Sequence, residues 1–181
     1  MKLKTNIHKW HAEVDFFNIE TCNKVKTIGD ALLSEKGGVL GKQFFSRNCK
    51  VGWIPYEKSP WLYYEIKTKV SEINSNMWNF KLDGEIETLQ YLKYGICEYY
   101  SKHADNSNDE VSSRKLTAII QLSEKYIGGG LKIWGEKNGY ANKQIGSITV
   151  FPSHLYHQAQ AVLWGKRNVL VAWFKGKEPL R

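Results

Sequence analysis

Cysteine, proline and long apolar runs are all scarce in this sequence, and each scarcity excludes something. The three cysteines, Cys22, Cys49 and Cys97, are an odd number without CxxC spacing. That excludes a disulfide scaffold, speaks against a thiolate zinc site and fits a reduced, cytosol-like compartment. Only four prolines occur in 181 residues, and no proline-rich or low-complexity linker divides the chain. Apolar runs such as Val169 to Phe174 fall far short of the roughly 18 to 20 residues that span a bilayer. Met1 to Trp10 lacks an apolar signal core, so no membrane partner and a cytoplasmic location are expected. Repeats are absent as well.

What is present describes one folded domain. Hydrophobic residues make up 42% and aromatic residues 13% of the chain, enough for a packed core and too many for a disordered state. The 26 Lys and Arg against 18 Asp and Glu leave a net charge of +8, a bias toward phosphates, nucleic acid or carboxylate-rich peptides. Lys2, Lys24, Lys26, Lys42, Lys58, Lys67, Lys93, Lys115, Lys137 and Lys143 are dispersed, the pattern of a solvated surface.

The two halves differ in period. Cys22, Val25, Ile28, Leu32 and Leu33 recur at helical spacing, with Gly37 and Gly38 beyond Lys36 as the expected stop. Ser59-Pro60 pairs a cap residue with proline at the first helical position and opens a second helix through Leu62, Ile66, Val70 and Ile73, ending before Asn74. After Leu89 the pattern becomes short strands at Gln90–Tyr94, Leu116–Leu122, Leu131–Trp134, Ser147–Phe151, Gln158–Leu163 and Arg167–Phe174. Gly128-Gly129-Gly130, Asn138-Gly139 and Trp164-Gly165-Lys166 separate them as turns. The expected fold is α+β and mainly β, a double-sheet jelly roll with amino-terminal helices packed on one sheet. A single domain over 1–181 is expected, with a helix-rich supporting part at 1–88 and a β core at 89–176. The polar stretch Asn106 to Arg114 is expected to be an exposed, mobile loop.

His103-Ala104-Asp105 sets an imidazole and a carboxylate two positions apart, on one face of an extended segment, where both can chelate one metal ion. A second imidazole, at His157, would complete a 2-His-1-carboxylate triad that leaves open positions on non-haem Fe(II). His154 is the alternative, and the spacing to Arg167 favours His157. Arg167, ten residues on, offers a planar fork suited to a carboxylate. Alternation puts Arg167 on one strand face with Val169, Val171 and Trp173, and Asn168, Leu170, Ala172 and Phe174 on the other. Read blandly, His8 and His11 are solvated, the tryptophans at 53, 61, 78, 134, 164 and 173 are core, and the triple glycine is a turn rather than a phosphate loop.

These residues resemble the Fe(II)- and 2-oxoglutarate-dependent dioxygenases, particularly the prolyl 4-hydroxylase-like branch and its small bacteriophage members. The matching motifs are Tyr94 to Tyr100 leading into His103-Ala104-Asp105, Arg114-Lys115-Leu116-Thr117 running to Gln121-Leu122-Ser123, and Tyr126 to Leu131. They continue through Phe151-Pro152-Ser153 to His157 and Gly165-Lys166-Arg167 to Trp173, with Trp53 to Phe80 and Gly176 to Arg181 also similar. The resemblance implies a double-stranded β-helix. It implies His103, Asp105 and His157 as iron ligands, Arg167 on the distal carboxylate of 2-oxoglutarate, and Tyr94 donating a hydroxyl to that carboxylate. Trp173 would line the pocket, and Gln121, where some members carry tyrosine, is placed among the cosubstrate-binding residues. A second departure is Gly130, where members often carry an acidic residue.

The implied cofactors are Fe(II) and 2-oxoglutarate, with ascorbate as a further candidate, and the implied location is the host cytoplasm for a phage-encoded chain. The implied reaction, with O₂, hydroxylates a peptidyl residue of a peptide or protein partner, most simply proline, and releases succinate and CO₂. The carboxylate of Asp105 points to hydroxylation rather than halogenation. Arg114 and Trp134 are candidate substrate residues on a rim next to the Asn106–Arg114 loop, and Arg114 and Lys115 would favour acidic flanking sequence. Two rivals are an AlkB-like nucleic-acid demethylase and a non-catalytic basic β-sandwich module. The first usually shows a second arginine six residues after the cosubstrate arginine, where this chain has Trp173. The second would bind its ligand regardless of chelators. Oligomeric state leaves no signal in the sequence.

Overall fold

Nine consecutive residues, Arg167–Lys175, form the middle strand of the larger sheet and separate two apolar cores. The computed structural model describes residues 6–34, 46–106 and 113–176. In chain order these form β1 (His11–Glu13), α1 (Ile19–Asp30), β2 (Leu33–Ser34), β3 (Arg47–Asn48), β4 (Lys50–Ile54), a 3-10 turn at Tyr56–Lys58 and α2 (Pro60–Met77). The second half adds β5 (Leu89–Tyr94), β6 (Tyr99–His103), β7 (Arg114–Gln121), β8 (Tyr126–Gly128), β9 (Leu131–Ile133) and β10 (Gly139–Tyr140). It ends with β11 (Ile148–Pro152), β12 (His157–Ala159), β13 (Val162–Gly165) and β14 (Arg167–Lys175).

Seven strands in the order β1-β11-β7-β14-β5-β4-β2 make the larger sheet, five in the order β10-β9-β12-β6-β3 the smaller one, and β13 pairs with β8 as a separate ribbon. Leu170, Ala172 and Phe174 of β14 join Leu116, Ala118 and Ile120 of β7 and the helical residues Cys22, Val25, Leu62, Ile66 and Val70 in one core. Val169, Val171 and Trp173 face the other way and meet Leu131, Ile133 and Phe151 between the sheets. The helices therefore cover one face of the larger sheet, and the other face looks into a cleft walled by the smaller sheet.

Several boundaries differ from expectation, each for a visible reason. The first helix ends at Asp30, and Leu33 enters β2 opposite Gly52 of β4. The apolar Leu32 and Leu33 continue the core as an edge strand, not as another helical turn. The expected stop at Gly37-Gly38 lies outside the described residues. The second helix runs past Asn74 to Met77, because the buried Asn74 amide bonds the N–H and C=O of Phe80 (3.0 and 2.9 Å) instead of interrupting the helix. Ser59 occupies the N-cap position without a side-chain capping bond; its carbonyl accepts from Leu62 N, and Pro60 presets the first turn.

The expected strand Gln158–Leu163 is two strands, since the chain leaves the smaller sheet after Ala159 and joins β8 from Val162. At that crossing Gly128 and Gly129 take φ of 75° and 57°. A Cβ on Gly128 would lie 2.5 Å from the Ala161 carbonyl oxygen, so glycine is required there. The first half is also more than a helical support, because β4 pairs with β5 and β1 with β11 in the larger sheet.

Candidate active site

Strands β6 and β12 are antiparallel neighbours, and their register sets His103 directly opposite His157, with a bulge between His157 and Ala159. Residues 54 positions apart in sequence thus become one pair, with ring centroids 4.1 Å apart. Asp105 lies just past the end of β6, where its N–H donates to the Ser153 carbonyl (2.8 Å). Its carboxylate comes within 3.6 Å of His103 Nε2 and 3.5 Å of His157 Nε2. One donor atom from each of the three residues lies within 4.8 Å of the others.

The orientation of each donor is fixed from behind. His103 Nδ1 meets the Ser101 carbonyl at 2.8 Å and His157 Nδ1 the Leu155 carbonyl at 3.1 Å. A carbonyl only accepts, so Nδ1 bears a proton and each Nε2 is turned toward Asp105. Thr117 Oγ1 donates to Asp105 Oδ2 (2.7 Å) and sits 3.0 Å from Ser153 Oγ; having one proton, Thr117 must accept from Ser153. Tyr100 stacks on His103 (3.6 Å between centroids) and Phe151 tilts against His157. Burial pushes the His157 imidazole below its usual pKa, keeping it neutral and able to ligate. For Asp105, burial acts to raise the pKa, but the two imidazoles and the Thr117 hydroxyl outweigh it and hold the carboxyl well below the usual range. Two imidazoles and one carboxylate, converging and braced, fit a divalent transition metal.

Arg167 heads the cleft-facing side of β14, in register with Tyr94 of β5. It is only 3% exposed. Nε donates to Gln121 Oε1 at 3.3 Å, and the guanidinium lies 5.5 Å from the Tyr94 ring centroid. No carboxylate among the described residues pairs with it. Gln121 in turn donates to the Ser123 carbonyl (2.6 Å), so it aims the guanidinium without neutralising it. Burial raises the pKa of the neighbouring Tyr126 phenol, with Arg167 and Gln121 beside it. A buried cation lacking an anion is unfavourable unless a ligand supplies one, so the site fits a carboxylate such as that of 2-oxoglutarate. Trp173, two turns of alternation beyond Val169 on the same face, is buried with its Nε1 unpartnered.

The structure therefore brings His103, Asp105, His157, Tyr94, Arg167 and Trp173 to one cleft together with Gln90, Leu92, Ile119 and Val171. His154 stands apart, its ring edge-on to His8. Arg114 forms a two-pronged pair with Glu87 (2.8 and 2.5 Å), donates to the Asp105 carbonyl and covers the Trp173 ring at 4.0 Å. Its charge is used inside the protein, and Lys115 is buried, so neither provides the expected attraction for acidic flanks. Trp134 follows β9 at the rim, half-buried. Of the Asn106–Arg114 loop, residues 107–112 lie outside the described residues. Trp53 and Trp164 are 48% and 60% exposed, contrary to the reading of the tryptophans at 53, 61, 78, 134, 164 and 173 as core. Thr117 and Ser153 were missed by sequence reasoning; the available signal was a polar residue on the Ile119 face of an apolar strand.

Residues 89–175 match the profile of the 2OG-Fe(II) oxygenase superfamily. A PKHD-type hydroxylase of Gloeothece citriformis is 32% identical over 94 residues, covering 49% of this chain and 43% of the relative. Another from Crocosphaera subtropica is 30% identical over 97 residues, covering 49% and 42%. The chain spans less than half the length of these curated relatives. Among solved structures, a Pseudomonas putida prolyl-4-hydroxylase superposes with TM-score 0.72 at 18% identity, covering 94% of each chain. A viral collagen prolyl hydroxylase from Paramecium Bursaria Chlorella virus-1, solved with 2OG, gives 0.70 at 17% identity over 93% of this chain and 96% of that one. A Trichoplax adhaerens prolyl hydroxylase, solved with a hypoxia inducible factor peptide, gives 0.74 at 16% identity over 94% and 84%. The two facing sheets with helices on one are the double-stranded β-helix these proteins share.

Proposed function

We propose, from the match of residues 89–175 to the 2OG-Fe(II) oxygenase superfamily, that the chain is a hydroxylase acting on a peptidyl residue, with proline as the acceptor. His103, Asp105 and His157 hold Fe(II); Arg167, aimed by Gln121 and flanked by Tyr94, holds the distal carboxylate of 2-oxoglutarate; Trp173 walls the pocket. When bound, iron and 2-oxoglutarate with O₂ supply an oxidant for an unactivated C–H, releasing succinate and CO₂. The protein keeps His157 neutral, braces Asp105 through Thr117 and surrounds the reacting atoms with Leu92, Ile119 and Val171. Residues 1–181 act as one domain in this reading, α1 and α2 backing the larger sheet.

The observation that carries the proposal is the buried, uncompensated guanidinium of Arg167 in the same cleft as the His-Asp-His cluster. Either alone has ordinary structural explanations; together they match a metal plus an anionic cosubstrate. The peptide substrate is supported by the prolyl hydroxylases of the same fold, one of them solved with a peptide, and by Trp173 at the place where demethylases usually carry arginine. The test is mass spectrometry after turnover with Fe(II) and 2-oxoglutarate, offering proline-containing peptides and methylated oligonucleotides separately. One oxygen added to a proline ring is the expected result. Demethylated oligonucleotide with no oxidised peptide would replace this reading by the demethylase one.

A further inference from the structure

Two lysines and three aromatic rings alternate from the mouth of the cleft onto the outside of the smaller sheet. Lys102 Nζ lies 4.6 Å from the Trp134 ring centroid and 5.0 Å from that of Tyr156. Lys132 Nζ lies 4.9 Å from Trp134 and 6.0 Å from Tyr140, its register partner. Leu131 and Ile133 are buried between the sheets, so alternation turns Lys132 outward. Tyr156 and Tyr140 are each 54% exposed. No carboxylate among the described residues pairs with Lys102 or Lys132.

A free surface lysine is a mobile, hydrated charge. Here the rings hold both ammonium groups at set positions by cation–π attraction, which leaves their N–H donors for an outside acceptor. The strip also begins at the chemistry: Lys102 precedes His103, Tyr156 precedes His157, and Trp134 follows Ile133, the register partner of His157. Trp134 and Tyr156 share the wall of a surface recess of about 520 Å³ with His8, His154 and Glu136, whose carboxylate lies 3.8 Å from Lys9 Nζ. With Arg114 paired to Glu87 and Lys115 buried, Lys102 and Lys132 supply positive charge to this side of the rim, while Arg47 lies over the Tyr100 ring on the other flank of β6.

We propose that this strip binds an acidic flank of the peptide substrate, with carboxylates on Lys102 and Lys132 and aliphatic segments against the exposed Tyr156 and Tyr140. The proposal rests on the peptide-hydroxylase reading and specifies the substrate class. A peptide is favoured over a single-stranded nucleic acid because base stacking needs open ring faces, and Trp134 already has an ammonium near it from each of two lysines.

The test is fluorescence anisotropy with labelled proline-containing peptides whose flanks are Asp/Glu or Asn/Gln, with a labelled single-stranded oligonucleotide as comparison. The proteins are wild type, Lys102→Gln/Lys132→Gln, and Lys58→Gln/Lys67→Gln, which removes the same charge from the helical side. Two exposed charge pairs predict about fivefold tighter binding of the acidic peptide by wild type and by the helical-side variant. The strip variant should lose that preference, and turnover should show it in KM rather than kcat. Equal preference in all three proteins, charge-blind binding by wild type, or oligonucleotide binding that outcompetes the acidic peptide and depends on the two lysines would overturn the proposal. A preserved binding preference with no oxygen added to any peptide would leave the strip standing and sink the hydroxylase reading instead.

Discussion

Arg167 contributes a shape as well as a charge. Lysine at that position keeps the cation but loses the planar fork that Gln121 orients. Removing one partner of a buried charge pair typically costs about 2 to 5 kcal/mol. Arg167→Ala should therefore abolish saturable 2-oxoglutarate binding in isothermal titration, and Arg167→Lys should weaken it clearly, with metal binding retained in both. Unchanged titrations would remove 2-oxoglutarate from the site. In the proposed reading Thr117 is a positioning residue, since it would reach the metal only through Asp105, to which it donates. Loss of such an outer contact typically lowers metal affinity about 10 to 100-fold, so Thr117→Val should weaken Fe(II) binding by that factor, and Thr117→Ser, which keeps the hydroxyl, should restore it. At this scale the sequence was most readable where spacing is local, as in His103 and Asp105, and along one strand, as in Arg167 and Trp173. Thr117 and Ser153 were not readable, because they meet Asp105 only through the packing of β7 and β11 against the end of β6.

Elements were legible by period and less so by boundary. The alternation of β14 was readable because one strand buries both faces in different surroundings, and the structure assigns those faces to two cores. Asn74 looked like a stop signal because asparagine competes with the helix for backbone bonds. Burial reverses that effect, and the amide instead fastens Phe80 after α2. Asn74→Ala leaves that backbone N–H and C=O without a partner, for which about 1 to 3 kcal/mol of stability is expected to be lost. Urea unfolding measures this, and a midpoint equal to wild type would show that the fastening contributes nothing. Strand β4 escaped notice because Gly52 interrupts its apolar run, although that glycine lets the strand approach the carbonyls of Gly29 and Leu32.

For the molecule as a whole, the larger sheet separates stability from chemistry. Its helix-facing core holds Ile120 fully buried, while the cleft lies on the opposite face. Ile120→Ala should destabilise by about 2 to 5 kcal/mol yet leave 2-oxoglutarate affinity unchanged below its lowered Tm. A parallel loss of affinity would show that the two faces are coupled. Among the described residues no helix is long and apolar enough to cross a membrane.

The central claim is that one cleft holds Fe(II) at His103, Asp105 and His157 beside 2-oxoglutarate at Arg167. Its most direct test is the visible charge-transfer absorption that forms when 2-oxoglutarate chelates protein-bound Fe(II), recorded without oxygen. The band should appear in wild type and in His154→Ala, and be absent from His157→Ala, Asp105→Ala and Arg167→Ala at a 2-oxoglutarate concentration that saturates wild type. A band that survives in His157→Ala and vanishes in His154→Ala, or one indifferent to Arg167, would contradict the account.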